Sequence, residues 1–274
     1  MSSNQYSTTE LPIKGKLTMP FVCTMAIVVL MIAASVAGVL YSHRLYPADN
    51  LRRMFFPNDV VNLCIGLPFL LVSLLLVWRN KLTGLLALFG VLLFVLYNYL
   101  VYVFAMPFSI PFQLHLALVL LSTCALVILV SRIDASTVRQ RLAGAVPEKA
   151  AGSVLTGLGA LFFLRAFGML MRGITHQIPI ARTDFAVDLA DLLMTPLWMV
   201  GGVLLILRKA FGYVAALGLL TQASLLFIGL IMFLLLQPFL TGVPVHWSDV
   251  VLIFAMGSVC FVPLMLFVRG TESR

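Results

Sequence analysis

Charge is what this chain most lacks. Only 10% of its 274 residues are Asp, Glu, Lys or Arg, against 62% apolar, and a water-soluble domain cannot cover its surface with so few polar groups. Cysteine and histidine are scarce too, at four each. Cys23, Cys64, Cys124 and Cys260 fall inside apolar stretches without paired spacing. That excludes a disulfide framework and a cysteine-based zinc site, and leaves them as small apolar core residues. No Gly-rich phosphate loop, nucleophile elbow or His-Glu-x-x-His helix occurs, so the common soluble-enzyme chemistries have no signature. His115, His176 and His246 carry donor atoms suited to a metal, but no short ligand spacing joins them; they read as solvated loop histidines, with no metal and no cofactor expected. The net charge of +8 comes without a basic stripe interleaved with aromatics. Nucleic acid is therefore not an expected partner, and a lipid bilayer with anionic headgroups is.

What the chain has in abundance is long apolar runs. A span of about 20 residues at 1.5 Å rise crosses the hydrocarbon, and backbone amides there must be satisfied within their own segment, so these runs predict helices. Eight are expected, near 20–41, 59–78, 83–106, 109–131, 152–173, 185–207, 211–236 and 248–268. The first could pass for a secretory signal, with Lys14 and Lys16 ahead of it and small residues at Ala33, Ala34, Ser35 and Ala37. Its apolar run is longer than a usual signal core, and it reads as a retained helix.

The sequence also repeats itself. Asp59, Asn62, Leu63, Pro68, Arg79, Lys81 and Gly84 are echoed by Asp188, Asp191, Leu192, Pro196, Arg208, Lys209 and Gly212, and each copy runs on to a Pro-Phe pair, Pro107-Phe108 and Pro238-Phe239. The expected fold is all-α and polytopic: eight transmembrane helices arranged as two four-helix repeats. Because four is even, both repeats enter the membrane the same way round, which makes them parallel and disfavours an inverted-repeat transporter. The corresponding division is a tail at 1–19, a first repeat at 20–131, a linker at 132–151 with a short interfacial helix, a second repeat at 152–268 and a tail at 269–274.

Orientation follows from lysine and arginine. One side collects Lys14, Lys16, Arg79, Lys81, Arg132, Arg139, Arg141, Lys149, Arg208, Lys209, Arg269 and Arg274. The other has Arg44, Arg52, Arg53, Arg172 and Arg182, diluted by Asp49, Asp59, Asp184, Asp188, Asp191 and Asp249. Both termini and the linker are expected on the cytoplasmic side of a cell (inner) membrane.

The remaining signal is ionisable residues where hydropathy would not place them. Arg165 lies deep in the fifth run, with Arg172 two turns further out on the same face and His176 continuing the line. On the sixth run Asp184, Asp188 and Asp191 share one face at i, i+4 and i+7. The two runs form an antiparallel hairpin that brings Asp191 to the depth of Arg165, so an ion pair is expected between them. In the first half neutral Asn62 holds the place of Asp191, and the region of Val36 holds the place of Arg165, so both charges vanish together. Asp59 and Asp188 are expected to cap helix starts. Tyr97, Asn98, Tyr99 and Tyr102 read as an aromatic belt with an interhelical amide bond, and Gln222 as a second such bond. Loops 42–58 and 172–184, with His43 near the counterpart of Arg172, would form a polar basin floored by Arg165 and Asp191. The candidate substrate-binding residues are thus Arg165, Asp191, Arg172, Asp188, His176 and His43.

The passages DVVNLCIGLP (59–68), YNYLVYVF (97–104) and QPFLTG (237–242) resemble a prokaryotic family of eight-helix multi-pass membrane proteins with no assigned activity. The likeness covers most of the chain from residue 20 onward and implies no catalytic motif. Function therefore rests on three classes. The first is a carrier or binding protein for an ion or a small polar or anionic solute, with Arg165 and Asp191 facing a cavity open to the outer side. The second is a membrane-embedded enzyme acting on a lipid-linked or small anionic substrate, entered laterally. The third is a non-catalytic sensor or assembly partner with a filled interior.

Overall fold

The computed structural model describes residues 11–177, 179–242 and 244–272. Residues 1–10 of the expected first tail, and residues 273–274 of the second, Arg274 among them, lie outside the described residues. The elements are α1 (Thr18–Leu40), α2 (Ser42–Leu45), α3 (Asp49–Val61), a π-helical stretch (Asn62–Gly66), α4 (Leu67–Trp78), α5 (Leu82–Ala105), α6 (Ile110–Arg132), α7 (Ala135–Leu142), α8 (Glu148–Thr175), α9 (Arg182–Ile206), α10 (Ala210–Thr241) and α11 (Trp247–Glu272). Eight helices among the described residues are long and apolar enough to span a bilayer, α3, the π-helical stretch and α4 counting as one. The protein is an all-helical membrane protein.

The second span begins ten residues earlier than the apolar run implies, at Asp49 rather than Asp59. By composition the polar stretch Asp49–Arg53 reads as loop, and Pro57 as a helix start. Inside α3, Pro57 cannot donate to the Arg53 carbonyl one turn back; that carbonyl instead lies 3.5 Å from the Gln237 side-chain amide.

α5 and α10 run through the middle of the bundle and are its most buried spans. Lipid supplies no hydrophobic drive for helices to associate, so close backbone packing through small residues does that work. Gly90 and Gly218 meet at the crossing, where a Cβ on Gly90 would collide with the Gly218 carbonyl oxygen. Around this pair, α1 packs on α6, α8 on α9, α4 on α5 and α11 on α10.

The turns after α4 and α9 are built alike. Each ends in a Schellman arrangement whose left-handed residue is Asn80 (φ 57°) in one and Arg208 (φ 54°) in the other. Asn80 N donates to Val77 O and Lys81 N to Leu76 O, as Arg208 N donates to Leu205 O and Lys209 N to Leu204 O. Gly84 and Gly212 then tuck against Leu76–Val77 and Leu204–Leu205. This pairs Asn80, not Arg79, with Arg208.

Residues 11–17 and α7 share one end of the bundle. Lys14 N donates to Arg132 O at 2.6 Å and Asp134 N to Pro12 O at 2.8 Å. Asp134 caps α7; hydrogen bonds from the Ser136 and Thr137 hydroxyls hold its carboxyl down at about 2. Glu148 accepts from the Tyr213 hydroxyl and pairs with Arg208 at 2.7 Å, tying α8 to the turn before α10. Exposed Phe108, Phe239 and Trp247 ring the opposite end, where aromatic side chains suit a membrane interface.

Candidate functional site

Arg165 projects from α8 toward α9, and two carboxylates meet it. Its Nη2 stands 2.8 Å from Asp188 Oδ1 and 2.9 Å from Asp191 Oδ2. The expected contact with Asp191 is present, and Asp188 joins it. Asp188 is therefore not a helix cap: α9 starts at Arg182, which leaves Asp188 and Asp191 inside the helix, one turn apart on the face toward α8. Both carboxylates are well shielded, with side-chain exposures of 3% and 11%, whereas Arg165 keeps 45%.

Asp191 has a further donor that the sequence does not point to. The Tyr97 hydroxyl, from α5, donates to Asp191 Oδ1 at 2.9 Å. Tyr97 is thus part of the charged group rather than of an aromatic belt. Asn98, beside it, donates back to Phe94 O at 2.9 Å in its own helix. Its Oδ1 accepts from the Asn58 amide of α3 at 3.4 Å, the interhelical amide bond expected of it. Gln222 does form the expected interhelical bond, accepting from Trp198 Nε1 at 3.0 Å.

A cavity of about 690 Å³ reaches this group. Asn50 and Arg53 near the start of α3, Thr183 and Asp184 at the start of α9, and Gln237 near the end of α10 line the part of it nearest the end of the bundle away from α7. Arg165, Asp191 and Tyr97 lie in its wall, and much of the rest is apolar and aromatic, including Phe94, Phe162, Trp198 and Phe233. The volume is that of an ordinary small-molecule site, roughly 300–1,000 Å³. The wall draws on α3, α5, α8, α9, α10 and α11 together.

The other candidate residues stand apart. Arg172 and His176 are exposed at and just beyond the end of α8 and do not line the cavity. His43 is also outside it, 3.0 Å from Arg52 Nη1, with Arg52 paired in turn to Asp49 at 3.2 Å. Of the segments expected to form the basin, Asn50, Arg53, Met54, Asn58, Thr183 and Asp184 line the cavity, as helical rather than loop residues, and the histidines do not.

Asp59 makes a second buried polar group. It sits within α3, so it caps nothing; its two oxygens accept from the Tyr46 hydroxyl at 2.6 Å and the Tyr102 hydroxyl at 2.7 Å. Gly38 of α1 makes room for it, since a Cβ there would overlap Asp59 Oδ2. His115, read as a solvated loop residue, is 2% exposed, with its ring centroid 4.5 Å from that of Tyr102. Of the cysteines, Cys260 is buried but Cys64 and Cys124 are exposed, so these two face outward rather than into a core. Among the described residues no group of three or more His, Cys, Asp or Glu is arranged to hold a metal.

Compared with known proteins, the chain matches no family model, no curated sequence and no solved structure.

Proposed function

We propose that this protein is a carrier or binding protein for a small solute in the cell membrane, with both termini cytoplasmic and its site open to the outer face. The observation that carries this reading is the cavity itself: about 690 Å³ of space reaching Arg165 and the shielded Asp191, with Asp188 paired to the same arginine from outside the lining. A purely structural role would favour a filled interior with these charges sealed away. The Thr195 hydroxyl in the cavity wall donates to the Asp191 carbonyl of its own helix at 2.7 Å rather than facing a base, which supports binding over group transfer.

The architecture we infer for it is two parallel four-helix repeats, 20–131 and 152–268. Three details support this. The turns at Asn80 and Arg208 carry matching hydrogen bonds, and residues 76, 77, 80, 81 and 84 correspond to 204, 205, 208, 209 and 212 at a constant separation of 128. Gly90 and Gly218, which touch at the central crossing, stand at that same separation. Before the π-helical stretch the separation is 129, as between Asp59 and Asp188; after it, at Pro68 and Pro196, it is 128. A π-bulge is the form an α-helix takes when one residue is inserted. The first half has that extra residue where Asn62–Gly66 is π-helical. The Lys and Arg distribution supports the orientation, with the linker end cytoplasmic.

A thermal-shift screen of the purified protein against cationic, anionic, zwitterionic and neutral small solutes tests the binding reading, because a ligand that binds only the folded state raises the melting temperature. At least one class is expected to do so, and to lose its effect in the Arg165→Leu, Asp188→Asn, Asp191→Asn triple variant. Absence of a shift from every class, or shifts that persist in that variant, would overturn it.

A further inference from the structure

We propose that the cavity takes a bulky organic cation with little hydrogen-bonding capacity, of the quaternary ammonium or phosphonium kind. This rests on the solute-binding reading and names its substrate class.

Charge points the first way. Arg165 supplies one positive charge to a group that includes two carboxylates, Asp191 in the cavity wall and Asp188, which meets the same arginine from outside the lining, so the cluster is one negative charge in excess. Arg53 and Asp184, both in the cavity wall, offset one another. A net negative charge shielded from water within a membrane protein is stabilised by a cation entering beside it and destabilised by an anion. The arginine alone invites an anionic solute; the paired acids reverse that expectation.

Hydrogen bonding narrows the class. Asp191 already accepts from Tyr97 on one oxygen and Arg165 on the other, while Asn98 and Thr195 donate within their own helices. What Asp191, the carboxylate in the cavity wall, leaves uncompensated is charge rather than an oxygen without a donor. A primary amine must satisfy three N–H donors, whereas a quaternary cation needs only an electrostatic partner and apolar contact.

The walls provide that contact. Phe94, Tyr97, Phe162, Trp198, Phe227 and Phe233 all line the cavity. Phe162 bridges two of these rings, its centroid 6.3 Å from that of Trp198 in an edge-on arrangement and 6.0 Å from that of Phe227. Aromatic faces attract cations through the ring quadrupole, most strongly where water is excluded, and several rings around one cation are the usual receptor for quaternary ammonium groups.

The test is equilibrium binding of tetraphenylphosphonium and, measured separately, of tetraphenylborate, ions of nearly the same shape and opposite charge, to the purified full chain in lipid nanodiscs. Empty nanodiscs give the partition background. Saturable binding of the phosphonium and none of the borate is expected. Asp191→Asn leaves Arg165 paired with Asp188 and should weaken phosphonium binding on the order of 30-fold. Phe233→Ala, which touches no charge, should weaken it by about 5-fold and serves as the second reading if Asp191→Asn does not fold. Failure to bind the phosphonium, equal binding of both ions, or indifference to these substitutions overturns the cation assignment. Binding of the borate alone overturns it too but leaves the solute-binding reading standing, whereas a solute screen without any hit removes that reading itself.

Discussion

Replacing Arg165 by leucine removes the single positive charge facing Asp188 and Asp191. Two like charges then remain one turn apart on α9, with side-chain exposures of 3% and 11%. Breaking a buried pair by deleting one partner costs about 3–5 kcal/mol. Because the Arg165 side chain is 45% exposed, solvent already screens part of its contribution, and we expect a loss of about 2–3 kcal/mol. Neutralising Asp191 alone should be milder, about 1 kcal/mol, since Arg165 keeps Asp188 and an asparagine oxygen still accepts a hydrogen bond. Combining Arg165→Leu with Asp191→Asn leaves Asp188 as a lone buried charge, so only part of the stability returns. Adding Asp188→Asn removes the last ion and should bring the protein to within about 1 kcal/mol of wild type. The cycle is read by unfolding in mixed micelles with increasing SDS, followed by far-UV ellipticity, and should give a coupling of about 2 kcal/mol between Arg165 and the two acids. A triple variant as unstable as Arg165→Leu alone would refute the idea that these charges act on one another.

Three further outcomes follow from packing. Gly90→Ala sets a methyl against the Gly218 carbonyl, which cannot rotate away, and Gly218→Ala sets one into the Phe89 ring with the Leu86 carbonyl and Gly90 amide beside it, so either should cost at least about 1–3 kcal/mol by the same unfolding assay; a neutral result would mean that α5 and α10 do not cross there. Gly38→Ala, in place of the gain of about 1 kcal/mol usual within a helix, should destabilise through contact with Asp59, and its added cost should fall in an Asp59→Ala background, where only the Tyr46 hydroxyl, released from Asp59, still stands close to the added methyl; equal cost in both backgrounds would count against that contact. Deleting Leu63 from the π-helical stretch should leave a folded protein, because a π-bulge can revert to regular α-helix without turning the residues that follow it. Deleting Leu192 from α9 shifts every later face by about 100° and should not fold, as judged by size-exclusion profile; equal tolerance of both deletions would remove the inserted-residue account.

The membrane class and the count of eight spans are legible because helix-forming runs in lipid must be long and nearly uncharged. The start of the second span is not, since Asp49–Arg53 resembles a loop and Pro57 a beginning, and only the Gln237 side chain near the Arg53 carbonyl shows how the helix continues. That misplacement carries Asp59 with it, from a buried hydrogen-bonded acid to a supposed cap. Arg165 and Asp191 can be matched from depth along a hairpin and periodicity. Tyr97 cannot, because nothing in a uniformly apolar helix says which face of α5 looks toward α9. On the proposed two-repeat architecture, the change of separation from 129 to 128 is present in the sequence, but only the π-helical geometry at Asn62–Gly66 gives it a meaning.

On the proposed function, water and solute reach the middle of α9 through the cavity. Met194 lines it, while its neighbour Leu193 is 50% exposed on the outer surface of the bundle, facing lipid. Met194→Cys and Leu193→Cys, each made with Cys23, Cys64, Cys124 and Cys260 replaced by alanine, place two thiols at nearly the same depth on different faces. A small charged methanethiosulfonate reagent added from outside intact cells should modify the cysteine at 194 and not the one at 193. Modification of neither, or of both at similar rates, would contradict an open aqueous path to the Arg165 cluster.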